Sequence, residues 1–226
     1  MMTTNTIPDG DAQHMTQTRV EYGMPPERYH ADPALGNSGI SKVLQSPYHY
    51  WAANINPSRP PSKPSPAMLA GTLAHTMILE RDKFAERYIV RPDGLKLSTK
   101  DGKAWADAVP SGVTIIDAED YSNAEQQMRA VFDQQPDVAE MIVAAGSQVE
   151  VSAFWTDSET GLACKCRPDA VAVTGGKAVL IDIKTARSVA PRDFSRSIWD
   201  FGYHRQAAWY SRGFEAASGI EVAQFV

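Results

Sequence analysis

The chain has 226 residues, of which 43% are hydrophobic and 22% are charged, as is typical of a globular protein with one substantial core. Its net charge of −5 excludes a surface that is basic throughout, so any nucleic-acid contact has to be local. The two cysteines exclude a four-cysteine metal site and a disulfide framework, and no run is apolar enough to cross a membrane. Together with the lack of a secretion signal, these features predict a cytoplasmic protein.

The first third of the chain alternates polar segments with predicted helices. Residues 1–36 are polar and mixed in composition, which predicts a flexible N-terminal arm. A short helix follows, and then a proline-rich stretch over 54–66 that predicts an extended linker or loop. A long helix is predicted over 67–88, where Gly71 precedes His75 by one turn and leaves room beside the imidazole. A lone helical histidine more often packs in a core than binds a ligand, so both interpretations stay open.

The middle of the chain predicts a basic loop, two helices and a strand. Residues 91–105 contain several lysines and glycines, and Lys103 is a candidate phosphate contact unless this loop is only solvated. The two amphipathic helices are predicted over 117–135 and 137–145. Alternation of apolar and polar residues predicts one strand over 148–156, with Glu150 on its polar face.

Residues 161–185 hold two apolar, β-branched runs on either side of a Gly-Gly dipeptide, which favours a tight hairpin turn. Asp169 lies on the first run, while Asp182 and Lys184 share one face of the second because side chains alternate along a strand. A charged pair in an apolar strand is costly to bury unless it is paired or binds a metal. Two neighbouring carboxylates favour a hard divalent cation such as Mg²⁺. The alternative is a surface hairpin with an ordinary ion pair.

A second long helix is predicted over 191–217, and it carries polar groups near its middle. Gln206 and Tyr210 are four residues apart and therefore share a face, with Arg205 beside them. Residues 220–226 begin a last strand, and two interpretations stay open: the strand is truncated, or the C-terminal edge of the sheet is very short.

The order of these motifs resembles the RecB-like branch of the PD-(D/E)XK nuclease superfamily and, within it, the RecE-type (exonuclease VIII) nuclease domain. The similar segments are S-x-x-S-K-x-L-x-S-P-x-x-Y, G-T-L-A-H-T-M-I-L-E, T-K-D-G-K-A-W, R-P-D and D-I-K-T. The resemblance implies an α/β fold over 37–226, with a restriction-endonuclease-like core in which helices flank a central mixed β-sheet. Two departures are an aspartate at position 182, where glutamate is commoner, and the absence of the family's last strands.

The same resemblance implies a metal centre. His75, Asp169 and Asp182 would bind Mg²⁺, for which Mn²⁺ would substitute, with help from the Ile183 carbonyl. Lys184 would orient the attacking water or help to deprotonate it. Because the carboxylate of Asp182 is one methylene shorter than that of a glutamate, the position of the ion is expected to shift.

Contacts with DNA are predicted outside the metal ligands. The resemblance places Gln206 and Tyr210 near the scissile phosphate, and Lys103 and Arg205 are the further predicted DNA contacts. Glu150 is a possible auxiliary group, either in the outer shell of the metal or at a second ion.

The implied activity is that of a Mg²⁺-dependent exodeoxyribonuclease. Such an enzyme would degrade double-stranded DNA from its ends in the 5′→3′ direction, leaving 3′ tails for an annealing protein in phage or prophage recombination. Members of the family that the chain resembles form rings around DNA. The resemblance therefore implies a homo-oligomer, with a tetramer favoured and a trimer as the alternative. Three alternatives remain open: a related endonuclease, a helicase-associated nuclease module, and a non-catalytic DNA-binding protein on this fold.

Overall fold

The computed structural model describes residues 18–60, 65–144 and 148–226. The chain divides into two compact units. The first unit comprises residues 1–61, 145–182 and 186–226, and the second comprises 62–144 and 183–185. Residues 1–17 of the predicted arm and 61–64 of the predicted linker lie outside the described residues.

Helices and strands follow one another along the described chain, which confirms the α/β class. The strands are β1 (Arg19–Glu21), β2 (Tyr88–Val90), β3 (Thr114–Ile116), β4 (Gln148–Val149), β5 (Ser152–Thr156), β6 (Ala163–Cys166), β7 (Ala170–Thr174), β8 (Lys177–Ile181) and β9 (Val222–Phe225). The helices are α1 (Pro26–Ala31), α2 (Asn37–Gln45), α3 (Pro47–Tyr50), α4 (Pro66–Leu79), α5 (Phe84–Arg87), α6 (Lys100–Asp107), α7 (Ala118–Gln134), α8 (Pro136–Val143), α9 (Pro191–Phe201) and α10 (Tyr203–Ser218). A π turn covers Trp51–Ile55 and a 3₁₀ turn covers Arg81–Lys83. No helix in the described ranges combines the length and the apolar character that a bilayer crossing requires.

The first unit contains two sheets where the sequence predicted one central sheet. One sheet has the antiparallel order β1–β5–β6, and the other has the order β4–β7–β8–β9, in which only β8 and β9 are parallel. Helix α10 covers both, with Phe214 buried in one cluster with Trp155 and Leu180. Gly213 makes this packing possible, because a Cβ there would lie 2.3 Å from Cη2 of Trp155.

The described part of the predicted flexible arm is ordered. Strand β1 pairs with β5, and Met24 and Tyr29 are buried. The Lys165 ammonium donates hydrogen bonds of 2.7 Å to the carbonyls of Tyr29 and Asp32. Polar composition suggested an arm over 1–36, but a few buried side chains and this inward-pointing lysine hold residues 19–36 in place.

The last predicted helix is two helices. Gly202 has the left-handed backbone angle φ of +68°, which a residue without a Cβ adopts readily, and it separates α9 from α10. Helix α9 buries no residue, whereas α10 buries Gln206, Gly213 and Phe214. The polar residues of this region that were predicted to be functional therefore belong to α10, which is the helix that packs on the sheets.

In the second unit, α4 packs against α7 and strands β2 and β3 pair in parallel. The helix predicted over 67–88 ends at Leu79, because the chain bends at Glu80. The Glu80 carboxylate accepts hydrogen bonds from Lys83 at 2.6 Å and Arg87 at 2.7 Å, which fix this bend. Burial acts to raise the pKa of Glu80, but these two hydrogen bonds outweigh it and the pKa is lowered.

The basic loop predicted over 91–105 ends in a helix, α6. Thr99 caps this helix by accepting a hydrogen bond of 3.1 Å from the backbone N–H of Gly102. A Cβ at Gly102 would lie 2.1 Å from the carbonyl oxygen of Lys96, so only glycine permits this close approach. The T-K-D-G-K-A-W segment therefore has a structural basis in helix capping and packing.

Candidate metal centre

Asp169 and Asp182 lie at the end of one hairpin. Strands β7 and β8 pair in antiparallel register, with Ala170 opposite Ile181, and the predicted turn uses Gly175 and Gly176, which both have positive φ. Continuing this register by one residue places Asp169 opposite Asp182. Asp169 is 8% exposed and Asp182 is partly buried. The hairpin thus brings two carboxylates to the point where its hydrogen-bonded ladder ends.

Glu150 lies beside Asp169 in the first unit, at a break in the strand that was predicted over 148–156. The break separates β4 from β5, and Glu150 has a φ of +52°, a left-handed conformation that costs roughly 1–3 kcal/mol for a residue other than glycine. Its N–H donates a 2.8 Å hydrogen bond to the Asp169 carbonyl oxygen. One carboxylate oxygen of Glu150 lies within 4.8 Å of one of Asp169. Glu150 was predicted only as an auxiliary group, and the geometry makes it a near neighbour of a predicted ligand.

Arg167 supports Glu150, although it was not among the predicted site residues. Its side chain is 9% exposed, and its Nε lies 2.6 Å from Oε2 of Glu150. Its Nη2 donates to the Met24 carbonyl at 2.9 Å, and its guanidinium lies over the Tyr29 ring. A buried guanidinium partly neutralises the cluster of carboxylates and fixes the Glu150 side chain. The signal in the sequence was the arginine of R-P-D, which directly precedes Pro168-Asp169.

Helix α10 contributes Gln206 and Tyr210 to the same region of the first unit. The Gln206 amide donates a 2.7 Å hydrogen bond to Oδ1 of Asp182, so this buried side chain orients a predicted ligand. The N–H of Asp182 donates to the carbonyl of Val226 at 2.9 Å, which fixes the backbone as well. Burial raises the pKa of the Tyr210 phenol, and the negative charge of Asp182 raises it further. Tyr210 is therefore a neutral hydroxyl close to the acids.

Arg205 points away from Gln206, although the two are adjacent in sequence. Its Nε donates to Asn37 at 3.2 Å and its Nη2 donates to Ser41 at 2.5 Å. These bonds attach α2 to α10. Arg205, which was predicted to contact DNA, thus serves first to fix the S-x-x-S-K segment.

The second unit holds the remaining predicted residues. His75 Nε2 and the Ile183 carbonyl oxygen are 2.9 Å apart. This contact is a hydrogen bond in which the imidazole Nε2–H donates, because a carbonyl oxygen only accepts. Adjacent ligands of an octahedral Mg²⁺, with bonds of about 2.0–2.1 Å, also lie about 3 Å apart, so an ion bound by both atoms would replace that proton. A Cβ at Gly71 would lie 3.5 Å from Oγ1 of Thr185, an ordinary van der Waals distance, so the room predicted beside the imidazole stays a prediction. Lys184 is partly buried.

Lys103, the predicted phosphate contact, lies on α6 in the second unit. It is exposed on α6, and its backbone N–H donates to the Thr99 carbonyl at 3.0 Å within the first turn of that helix. Its side chain is available to solvent, and its contact with phosphate stays a prediction.

The donor atoms in each unit suit a hard cation. The first unit offers carboxylate oxygens from Glu150, Asp169 and Asp182, and the second offers an imidazole nitrogen and a carbonyl oxygen. Oxygen-rich sets of this kind are typical ligands of Mg²⁺ and Mn²⁺, whereas soft metals prefer thiolates. Both cysteines are buried in the core of the first unit instead. The residues present therefore fit a magnesium or manganese ion.

No curated protein matches the sequence. Among solved structures, the chain is similar to the crystal structure of protein VC1899 from Vibrio cholerae, with 12% identity and a TM-score of 0.25. That similarity covers 91% of this chain and 48% of the other, so the chain spans about half the length of that structure. The family described as "PDDEXK-like domain of unknown function (DUF3799)" matches residues 36–226. Because this match covers most of the sequence, the chain belongs to this family of PDDEXK-like domains.

Proposed function

We propose that the chain is a divalent-metal-dependent nuclease that hydrolyses phosphodiester bonds in DNA. The observation that carries the proposal is the β7–β8 register, which continues to Asp169 opposite Asp182 and is followed directly by Ile183 and Lys184. This arrangement puts the acids and the lysine of the PD-(D/E)XK pattern at the end of one hairpin. Membership of a PDDEXK-like family supports the same chemistry.

In this proposal, one ion is bound by His75, Asp169, Asp182 and the Ile183 carbonyl. Within the second unit, the His75 imidazole is hydrogen-bonded at 2.9 Å to the carbonyl of Ile183, the residue that follows Asp182 in the chain. The bound ion would neutralise charge on the phosphate and lower the pKa of a coordinated water. The protein supplies fixed ligands, because Gln206 holds the Asp182 carboxylate.

Lys184 would act next to the acids as a fixed positive charge. Strand β8 ends at Ile181, so Asp182 and Lys184 follow the strand instead of lying in it, and the shared face predicted for them stays a prediction. Its ammonium would orient the attacking water and stabilise negative charge that develops on the phosphate. Glu150, which lies near Asp169 and is paired with Arg167, would support a second ion or the water shell of the first.

We further propose the RecE-type activity that the motif order implies. The substrate would be a double-stranded DNA end, degraded 5′→3′ to leave 3′ tails for an annealing protein in phage-type recombination. The active form would be a homo-oligomeric ring in the cytoplasm, with a tetramer favoured over a trimer. The resemblance of the five segments supports these finer statements.

End-labelled linear duplex DNA tests the proposal in the presence of Mg²⁺, of Mn²⁺, and of a chelator. We expect metal-dependent release of nucleotides by the native chain, and a loss of about 10³-fold or more in Asp169→Asn and Asp182→Asn, because removing a ligand removes the ion. Asp200→Asn is the matched control, since this exposed carboxylate on α9 lies outside the proposed centre. Full activity of Asp169→Asn, or no hydrolysis by the native chain, would contradict the proposal.

Two further measurements separate the alternatives. Covalently closed circular DNA has no ends, so its cleavage would identify an endonuclease and not an exonuclease. Calorimetric titration with Mn²⁺ separates catalysis from binding. An intact site should bind Mn²⁺ and lose that binding in Asp182→Asn. A chain that binds DNA but neither binds Mn²⁺ nor hydrolyses DNA would be a non-catalytic DNA-binding protein on a nuclease fold.

A further inference from the structure

A long segment of this acidic chain contains no acid. The protein has 27 aspartate and glutamate residues, yet none falls within residues 33–79. At the average frequency of aspartate and glutamate in this chain, a segment of this length would contain several of them. The described part of this segment in the first unit carries the cations Lys42 and Arg59. A surface of this composition attracts polyanions and lacks the negative charges that would repel them.

The same segment exposes four large apolar side chains, of which one lies on α2, one on α3 and two in the π turn that follows. We call this set the aromatic platform: Leu44, Tyr48, Trp51 and Ile55. Their exposed fractions are 70%, 71%, 42% and 57%, respectively. The rings of Tyr48 and Trp51 are stacked, with centroids 5.8 Å apart and planes inclined by 27°. Exposed apolar groups of this size on consecutive elements of the chain are typical of binding surfaces.

Several local contacts fix the backbone that carries the platform. Ser46 caps α3 by accepting a 3.2 Å hydrogen bond from the His49 N–H. Tyr50 turns inward onto α2, where a Cβ at Gly39 would lie 3.0 Å from its ring. The platform continues into the π turn over Trp51–Ile55, a rare conformation that is frequent at functional sites. Arg59 donates a hydrogen bond to the Ala53 carbonyl, which places its cation beside this turn.

We propose that the aromatic platform binds unpaired bases of single-stranded DNA. Every base has a flat π face, and a stacked, exposed pair of aromatic rings offers a matching surface to it without selecting a sequence. Lys42 and Arg59 would attract the phosphates of the same strand. The charge pattern favours a nucleic acid over a protein partner. An apolar surface that binds another protein has no need for neighbouring residues that lack acidic side chains, whereas a surface that binds phosphates does.

Helix α10 connects the segment that carries the platform to a predicted metal ligand. Arg205 on α10 bonds to Ser41 of α2, and the next residue, Gln206, bonds to Asp182. Within the first unit, one turn of α10 thus bonds to α2, which carries Leu44 of the platform, and to a predicted metal ligand. The platform would hold single-stranded DNA near the proposed catalytic acids. This binding goes beyond the proposed hydrolysis and needs no metal, so the two proposals can fail separately.

Fluorescence anisotropy of a labelled oligothymidylate with the full chain in excess chelator tests this inference. Stacking contributes about 1–3 kcal/mol per base, so Trp51→Ala should weaken binding by about 5- to 160-fold. Trp51→Phe should recover most of the affinity. Trp199→Ala on α9 is the matched control, because this tryptophan is 74% exposed and lies outside the platform. Circular dichroism verifies that each variant is folded.

An abasic oligonucleotide with the same number of phosphates provides the second measurement. If bases stack on the platform, the native chain should bind the abasic strand more weakly, and Trp51→Ala should lower that affinity no further. Equal affinity of Trp51→Ala and the native chain for oligothymidylate would overturn the inference. So would a Trp51→Ala variant that keeps its affinity but changes the oligomeric mass in light scattering, since the platform would then be an interface between copies.

Discussion

Gln206 provides the sharpest test of how the proposed metal centre is positioned. Its amide donates a 2.7 Å hydrogen bond to the Asp182 carboxylate, and leucine would fill a similar volume without a donor. Hydrogen bonds to charged groups contribute about 1.5–3 kcal/mol to stability, and Asp182 is only partly buried, so water would replace some of the loss. Gln206→Leu should therefore lower the free energy of unfolding by about 1.5 kcal/mol. Because it frees a ligand to rotate, it should also weaken Mn²⁺ binding by about 10- to 100-fold.

Urea unfolding and calorimetric titration with Mn²⁺ measure these two effects on the same samples. Gln127→Leu on α7 is the control, since it makes the same chemical change at an exposed helical position. If Gln206→Leu binds Mn²⁺ as tightly as the native chain, Gln206 does not position the ligand. If that variant instead loses affinity only for DNA, the DNA contact that the resemblance implied is the better account of Gln206.

Three other predictions concern two closely packed glycines and one carboxylate that is held by ion pairs. Gly213→Ala should destabilise the first unit by about 1–3 kcal/mol, because the new Cβ would lie 2.3 Å from the buried Trp155 ring; an unchanged melting temperature would contradict this. Gly102→Ala should cost at least as much, since its Cβ would lie 2.1 Å from the backbone oxygen of Lys96, and hydrogen exchange in α6 should increase while that of β5 is unchanged. Glu80→Gln should destabilise the chain at pH 7. The pKa of Glu80 is lowered by its ion pairs from an ordinary value of 4.5, so the stabilisation is complete above that pH and is lost as the pH falls through the folded-state pKa. Urea midpoints of the native chain and Glu80→Gln should therefore converge in acid, and a gap that stays constant would show that the carboxylate is not the cause.

The hairpin and the amphipathic helices could be predicted because local patterns determine them. A Gly-Gly dipeptide between two β-branched runs specifies the turn and hence the register that brings Asp169 toward Asp182. The helices predicted over 117–135 and 137–145 correspond to α7 and α8, whose apolar positions recur at the helical period.

Contacts between distant segments could not be predicted from local patterns. Nothing near residue 29 indicates that the Lys165 ammonium will donate to its carbonyl, 136 residues away in sequence. Likewise, α9 and α10 read as one continuous amphipathic pattern, and only the packing of α10 shows that the chain turns at Gly202. Propensity gives way to tertiary contacts at such points.

Glu150 shows most clearly where alternation misleads. The residues of 148–156 alternate as one strand does, so Glu150 was assigned to the polar face of a single strand. In the structure the chain leaves one sheet after Val149 and joins another at Ser152, and Glu150 takes the left-handed conformation between them. A glycine there would avoid the backbone cost, but it would remove the carboxylate that pairs with Arg167 and lies within 4.8 Å of the Asp169 carboxylate. The conformational cost is offset by the Arg167 ion pair and the bond to the Asp169 carbonyl, so the position of this acid beside Asp169 depends on the strained backbone.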